Sequence, residues 1–430
     1  MQKNIVILGG GVTGLQAAYD LMQKGYKVTL IEKAKEVGGA AASIQIPENR
    51  KVPAGYHQIV GSDKYLIKTL EKLDLLESVK WKKTRITAYI DGAFLNLASV
   101  IDILKLQRLS FVSKIQYFLF GARCMITHDW SSWDKKSVTE LIRSWANNQI
   151  LSEIFKPLID IKFGFSTDEA NAAWLGSRLS HREGNIPFGY IPHTSWTDEM
   201  CKKFVSYIIK NGGTIHTDTA VQTVIVDKKK IITSVTTDTN KTIKADVIIS
   251  TLPPPIVTKL LKDTDIDISS LSKIQYISCY SLIAGLPVVP FKEYWTIALH
   301  PRKIFGGCFT LSHLNETLIT QKDKAVINLF TNVPFNTHPW DKDTYIKKAM
   351  EDLSKMSNKK IKPNWVRLSY ISTVSPVFDT RYQNPPSRIG KNIFLAGIYR
   401  TYPRLSSTGE AMADGHSIAQ EVLAYLQKNH

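Results

Sequence analysis

The chain has 430 residues, enough for two or three domains and a large buried core. Hydrophobic residues at 43% and charged residues at 22% are ordinary globular usage, which excludes disordered, collagen-like and coiled-coil classes. Charge is the departure: 55 Lys and Arg against 38 Asp and Glu give +17, so anionic partners or surfaces have to be considered.

The opening residues run directly into Ile5-Val6-Ile7-Leu8, a continuous apolar run suited to a parallel strand covered on both faces. It is too short for a signal-peptide core, so no secretion signal is expected and the expected location is cytoplasmic. The strand ends at Gly9-Gly10-Gly11-Val12-Thr13-Gly14, and Leu15, Ala18, Tyr19 and Met22 then recur at helical spacing. A second strand, Lys27 to Ile31, stops at Glu32. This strand, helix, strand order with Gly9-x-Gly11-x-x-Gly14 is the dinucleotide fingerprint: the glycines allow a tight turn and close approach to a pyrophosphate, and an acid at Glu32 meets ribose hydroxyls. The pyrophosphate would sit over Val12 and Thr13 at the helix N-terminus. Beyond it, Lys33 leads through Val37 to Gly38-Gly39-Ala40.

Residues Ala98 to Met125 read as helical, with Ile101, Leu104, Phe111, Ile115 and Phe118 on an apolar stripe and Lys105, Arg108, Lys114 and Arg123 among them. The stripe breaks at Gln107-Arg108, which suggests two shorter helices. Such a stripe is more often a core or cavity cover than a membrane-surface face, although the basic residues keep peripheral membrane contact in view. Further on come a helix from Met200 to Lys210, a β segment from Gly213 to Val226, and an apolar strand ending at Thr251 before Leu252-Pro253. Residues Ile274 to Asn332 alternate like a sheet, with Tyr294 to Ala298 and Ala325 to Leu329 as strands. The weakly charged stretch Tyr276 to Phe291 carries Gly285, Pro287 and Pro290 and falls short of the ~18 to 20 apolar residues a spanning helix needs. A last strand, Asn392 to Gly397, precedes Ser407-Thr408-Gly409-Glu410-Ala411-Met412 and a final helix.

Cys124, Cys201, Cys279 and Cys308 lie far apart without paired spacing, so neither a zinc site nor a disulfide framework is expected, and no metal site is predicted. Lys80, Lys82, Lys83 and Arg85 surround Trp81, and Lys228-Lys229-Lys230 forms a turn. No nucleic-acid motif accompanies either patch, so solvated loops are the reading and no nucleic-acid partner is expected.

The Gly-Gly extension after Glu32 resembles the second FAD fingerprint of the flavin-containing amine oxidase superfamily. Gly55-Tyr56-His57 followed by Ser62-Asp63, Lys156-Pro157-Leu158 through Lys162-Phe163-Gly164, Ala172-Ala173-Trp174-Leu175 with Arg178, and Tyr402-Pro403 are similar to its protoporphyrinogen-oxidase-like branch. The resemblance implies FAD as cofactor and an α/β fold: a Rossmann-type FAD-binding domain assembled from discontinuous segments plus a mixed α+β substrate domain. The expected boundaries are 1–58, 197–256 and 386–430 for the first, and 59–196 and 257–385 for the second with its helical cap. It also implies cofactor contacts at Lys33, Gly38, Gly39, Ala40, Val221, Thr251 and Gly397, and at Thr408, Gly409, Ala411 and Met412, where the last helix starts against the flavin. Three departures stand out. Ala40 replaces the usual Arg, Ile398 replaces the Asp that commonly holds the ribityl chain, and Ile191-Pro192-His193-Thr194 replaces a Gly-Gly turn.

In such a fold, hydride leaves a substrate C–H for flavin N5, giving an imine or an alkene, while the protein positions, polarises and excludes water. Tyr56 and His57 are the substrate-side candidates, with His57 a proton acceptor near physiological pH. Arg178 and Arg182 are candidates to meet an anionic substrate group; Tyr399, Tyr402 and Trp295 are candidate cavity walls. The substrate is expected to be a small molecule, anionic or lipophilic. A non-redox alternative, a UDP-galactopyranose-mutase-like enzyme, suits Gly55-Tyr56-His57 equally and gives the positive charge an anionic nucleotide sugar to bind.

Overall fold

The computed structural model describes residues 3–180, 187–404 and 406–428. Ile5–Leu8, buried on both faces, lies inside a six-stranded sheet whose strands are far apart in sequence. Across the sheet the order is Thr214–His216, Val28–Ile31, Ile5–Leu8, Val247–Ser250, Ile393–Leu395 and Arg388–Ile389. The first five are parallel and the last is antiparallel. Hydrogen bonding thus joins the start, middle and end of the chain in one Rossmann-type sheet, as expected of an assembly from separated segments.

The helix Val12–Gln23 is buried at nearly every position because it is wrapped on three sides: the sheet, the helix Trp196–Lys210 and the closing helix Thr408–Lys428. Inside it, Gln16 donates to Asp20 at 2.9 Å and His416 of the closing helix meets the same carboxylate at 2.8 Å. A small antiparallel sheet, Val221–Val226, Ile232–Thr237 and Thr242–Lys244, leans on one edge.

A seven-stranded sheet forms the second body, in the order Trp365–Pro376, Tyr276–Leu286, Ala325–Pro334, Gly307–Phe309, Trp295–His300, Ile86–Ile90 and Ala93–Leu95. Tyr276–Leu286 is buried along its full length, so the apolar run that sequence reading measured against a membrane span is an interior strand. On one face Tyr280, Leu282, Ala284 and Leu286 pack with Tyr345, Ala349, Leu353 and Met356 of the helix Lys342–Ser357. The opposite face carries Cys279, Phe309 and Phe330 and packs with Tyr56 and with Ile154 and Ile161 of the helical lobe.

The helical lobe runs from Val100 to Ser180. Its first part is two helices, Val100–Lys105 and Phe111–Ile126, broken where sequence predicts. The expectation that their stripe covers core or cavity is overturned over most of its length. Ile103 and Phe120 are buried, whereas Val100, Ile101, Leu104, Phe111, Val112, Ile115, Leu119 and Ile126 are exposed, Phe111 at 69% and Ile126 at 76%. Periodicity marks the apolar face of a helix but not whether anything covers it. No helix among the described residues is long and apolar enough to cross a membrane.

Candidate active site

The two glycine motifs interlock. Gly38 donates its N–H to the carbonyl of Gly10 at 2.8 Å, and Gly39, at φ +58°, comes so close to Gly11 that a Cβ there would lie 3.0 Å from the Gly11 Cα. A side chain at Gly39 would push against the Gly11 backbone, where the two loops form one floor. Gly14 is tighter still, since a Cβ there would fall 2.2 Å from the carbonyl of Gly9, and the Thr251 hydroxyl ties the turn to the next strand by donating to Leu8 O and Gly9 O, both at 3.0 Å. The helix above begins at Val12 and Thr13 with Gly11 as a cap that offers no side chain, which leaves first-turn amides for an anion.

Glu32 is buried and each carboxylate oxygen already accepts a backbone N–H, from Gly10 at 2.7 Å and Ala34 at 2.8 Å. A carboxylate oxygen has a second lone pair, so ribose hydroxyls would share Glu32 with the loop it orders. Lys33 and Ala40 are exposed beside it, and half-buried Val221 opens the small sheet nearby. This cradle fits a dinucleotide pyrophosphate.

The start of the closing helix is held by contacts within the protein. Thr408 offers its hydroxyl to His57, and Gly409 donates its N–H to Asp63 at 3.2 Å. Asp63 caps its own helix Lys64–Lys72 through Leu66 and also accepts from Ser407, so one carboxylate caps two helices. A Cβ on Gly409 would fall 1.8 Å from Asp63, so glycine is required there. The Glu410 amide is taken by the Ser407 hydroxyl, so these two first-turn amides are bonded within the protein. Ala411 and Met412 are buried core residues. Gly397 donates to Asp414 at 2.7 Å, with Arg400 Nε 3.4 Å from the same carboxylate. Burial pushes the Asp414 carboxyl above its usual range despite Arg400. Ile398 supplies no carboxylate, but a buried one stands within reach of the same loop.

His57, the candidate proton acceptor, bridges two segments of the chain. Nε2 lies 2.8 Å from Ala40 O, a carbonyl that only accepts, so Nε2 carries the proton and Nδ1 takes the Thr408 hydroxyl at 3.2 Å. The ring thereby joins the Gly-Gly loop to the closing helix, and burial lowers its pKa, keeping it neutral. Neither nitrogen is left for a substrate. Where Gly-Gly was expected, His193 takes φ +65°, a conformation that costs a side-chain-bearing residue about 1 kcal/mol; the turn is kept and its preferred residue is not.

Tyr56 points the other way, with its ring 5.7 Å from Phe309 and 4.7 Å from Phe330. Trp295 stands 4.8 Å from Phe309, and its Nε1–H is buried without a partner among the described residues. The Asn332 amide reaches the Tyr56 hydroxyl and donates to the carbonyls of Ile161 and Lys162 at 3.2 and 2.9 Å. Arg178, from the last turn of Ala172–Ser180, is near enough for its charge to act on Tyr56 and Lys162. Tyr56, His57 and Lys162 are each half-buried. Lys162 was missed as a functional residue although it stands in a quoted motif; its isolation is visible only in three dimensions. Arg182 lies outside the described residues. Tyr399 is wholly buried and Tyr402 donates to Asp134 at 2.5 Å within an aromatic cluster, so both are packing residues.

The described residues hold no group of three or more His, Cys, Asp or Glu that could bind a metal ion, and all four cysteines are buried. The family model for flavin containing amine oxidoreductases matches residues 12–423. A 15-cis-phytoene desaturase of Glycine max is 21% identical over 98% of this chain and 79% of its own length. A protein of Exiguobacterium sp. 255-15 assigned as a protoporphyrinogen oxidase has the same fold, with TM-score 0.77, 16% identity and 99% of each chain covered. Reduced UDP-galactopyranose mutase is similar at TM-score 0.76 and 16% identity, covering 98% of this chain and 96% of that one.

Proposed function

The chain belongs to the flavin containing amine oxidoreductase family, and on that premise we propose that it oxidises a C–N or C–C bond of a small molecule. It is an FAD-dependent oxidoreductase. Bound in the glycine cradle, FAD supplies the hydride acceptor, at N5. The protein's own residues do the rest. Gly11, Gly14 and Gly39 with the Val12 helix start hold the pyrophosphate, Glu32 the ribose, and the His57 clamp fixes the loop carrying Ala40. Tyr56, Phe309, Phe330 and Trp295 form an aromatic wall that excludes water and orients the substrate. Segments 1–58, 197–256 and 386–430 serve the cofactor, and 59–196 and 257–385 the substrate.

The observation that carries this reading is the interlocked pair of glycine loops, with Tyr56, next to the His57 that binds Ala40 O, turned into the aromatic cluster of Phe309 and Phe330. The test is the visible spectrum of the purified protein followed by anaerobic bleaching with a panel of amines, porphyrinogens and polyenes; protein without flavin defeats the reading. Positive charge at the cavity favours one second reading, the non-redox mutase, which would turn over a nucleotide sugar only after the flavin is pre-reduced.

The exposed stripe from Val100 to Ile126 supports peripheral contact with an anionic membrane, because four basic residues and one acid accompany it. Wild-type protein should sediment with vesicles rich in phosphatidylglycerol and stay in solution with phosphatidylcholine. Serine at Phe111, Ile115 and Leu119 together should abolish sedimentation.

A further inference from the structure

Lys162 sits near the C-terminal end of the helix Lys156–Phe163, and its backbone carbonyl is held by Asn332 of the interior strand Ala325–Pro334. Asn332 stands in register with Cys279 of Tyr276–Leu286, so Lys162, Asn332, Cys279 and Tyr56 converge on one side of the seven-stranded sheet. Among the described residues the Lys162 ammonium has no hydrogen bond and no ion pair. Its recorded contact is the face of the adjacent Phe163 ring, 5.9 Å from the centroid. The nearest carboxylate on its own helix, Asp160, is engaged by Arg302 at 2.9 Å. An enclosed cation without a counter-charge is costly, and a second cation at Arg178 raises the cost.

We propose that Lys162, with Arg178 beside it, is the anion-binding subsite of the substrate cavity, so that the substrate carries a carboxylate or phosphate group next to its oxidised carbon framework. This rests on the cavity beside Tyr56 being the substrate cavity. The geometry is that of an amphipathic ligand: an aromatic wall of Tyr56, Phe309, Phe330 and Trp295 for the body, and the ammonium for the charged end. Burial and then Arg178 bring the Lys162 pKa down to about 8, so at pH 7 the group is about tenfold more often charged than neutral. The other titratable groups facing it do not change charge near that pH. Burial raises the Tyr56 phenol and pushes the Cys279 thiol up to about 12. Anion affinity should therefore hold below about pH 8 and fall above it.

The test is calorimetric titration of the holoenzyme with benzoate, phenyl phosphate and neutral benzyl alcohol, the two anions separating a carboxylate source from a phosphate one. At least one anion should bind tighter than the alcohol. Lys162→Met should weaken that anion about tenfold or more while Lys162→Arg stays within about threefold, in line with loss of one charge-assisted contact. Anions that bind no better than the alcohol, or an affinity unchanged in Lys162→Met, would overturn the proposal. So would a wild-type affinity flat from about pH 6.5 to 9.5, a result that needs no variant to fold. Flavin content and bleaching by substrates report on the oxidoreductase reading alone, so either idea can fail without the other.

Discussion

The two faces of the seven-stranded sheet come from the same strands and have opposite characters. Behind, Tyr280 stacks on Tyr345 at 4.9 Å, the Tyr345 hydroxyl meets Thr331 at 2.7 Å, and Leu282, Ala284 and Leu353 close the layer. In front, the alternate residues Cys279, Phe330 and Asn332 face Tyr56 and Lys162, and polar atoms such as Trp295 Nε1 and Asn332 Oδ1 are left without partners. Period-two alternation lets one strand serve both purposes. The rear face holds the fold, and the front face keeps buried polar atoms without a partner among the described residues.

That contrast can be broken by substitution. Leu353→Ala, in the sealed layer, should lower unfolding stability by about 3 kcal/mol with flavin still bound, read by denaturant titration and the flavin spectrum. Equal losses of flavin and stability would mean the rear face is not independent of the site. Tyr345→Phe should cost about 1 kcal/mol because Thr331 loses its buried partner. Trp295→Phe removes a polar atom that has no partner, so stability should change by less than about 0.5 kcal/mol or rise. A loss as large as that of Tyr345→Phe would show that the indole N–H is satisfied in solution.

The smallest effect is expected from pH. Because the folded pKa of His57 is depressed, the unfolded chain binds the proton more readily, so its contribution is present above the unfolded value of about 6.5 and is lost as pH falls below it. Melting temperature should decline on acidification from about pH 6.5, and His57→Gln should flatten that decline. A variant with the wild-type pH profile would argue against the clamp.

Much of the cofactor half was legible because its signals are local: Ile5–Leu8, the glycine turn and Glu32 lie within one unit whose residues touch each other. The helix break near Gln107 was legible for the same reason. What escaped depends on partners distant in sequence. The ring nitrogens of His57 are bound by residues 17 and 351 positions away, partners that local sequence does not show. Lys162 looks like any helical lysine until the lack of a counter-ion among the described residues is visible. The long strand Trp365–Pro376, half-buried over most of its length, lacks the strict alternation that marks a strand. The exposed stripe at Phe111 reads like any buried one.

The sheet order also sets a timetable for biosynthesis. Ile5–Leu8 leaves the ribosome early, yet its partner Val247–Ser250 follows some 240 residues later, and Ile393–Leu395 later still. At a synthesis rate of about 5 to 20 residues per second, the first glycine turn waits tens of seconds for the strand that completes its wall. The closing helix, with Thr408 and Gly409, comes after that. The nucleotide pocket therefore stays unfinished until the segment around Thr408 has been made, and until then the nascent chain carries an incomplete, glycine-lined parallel sheet edge.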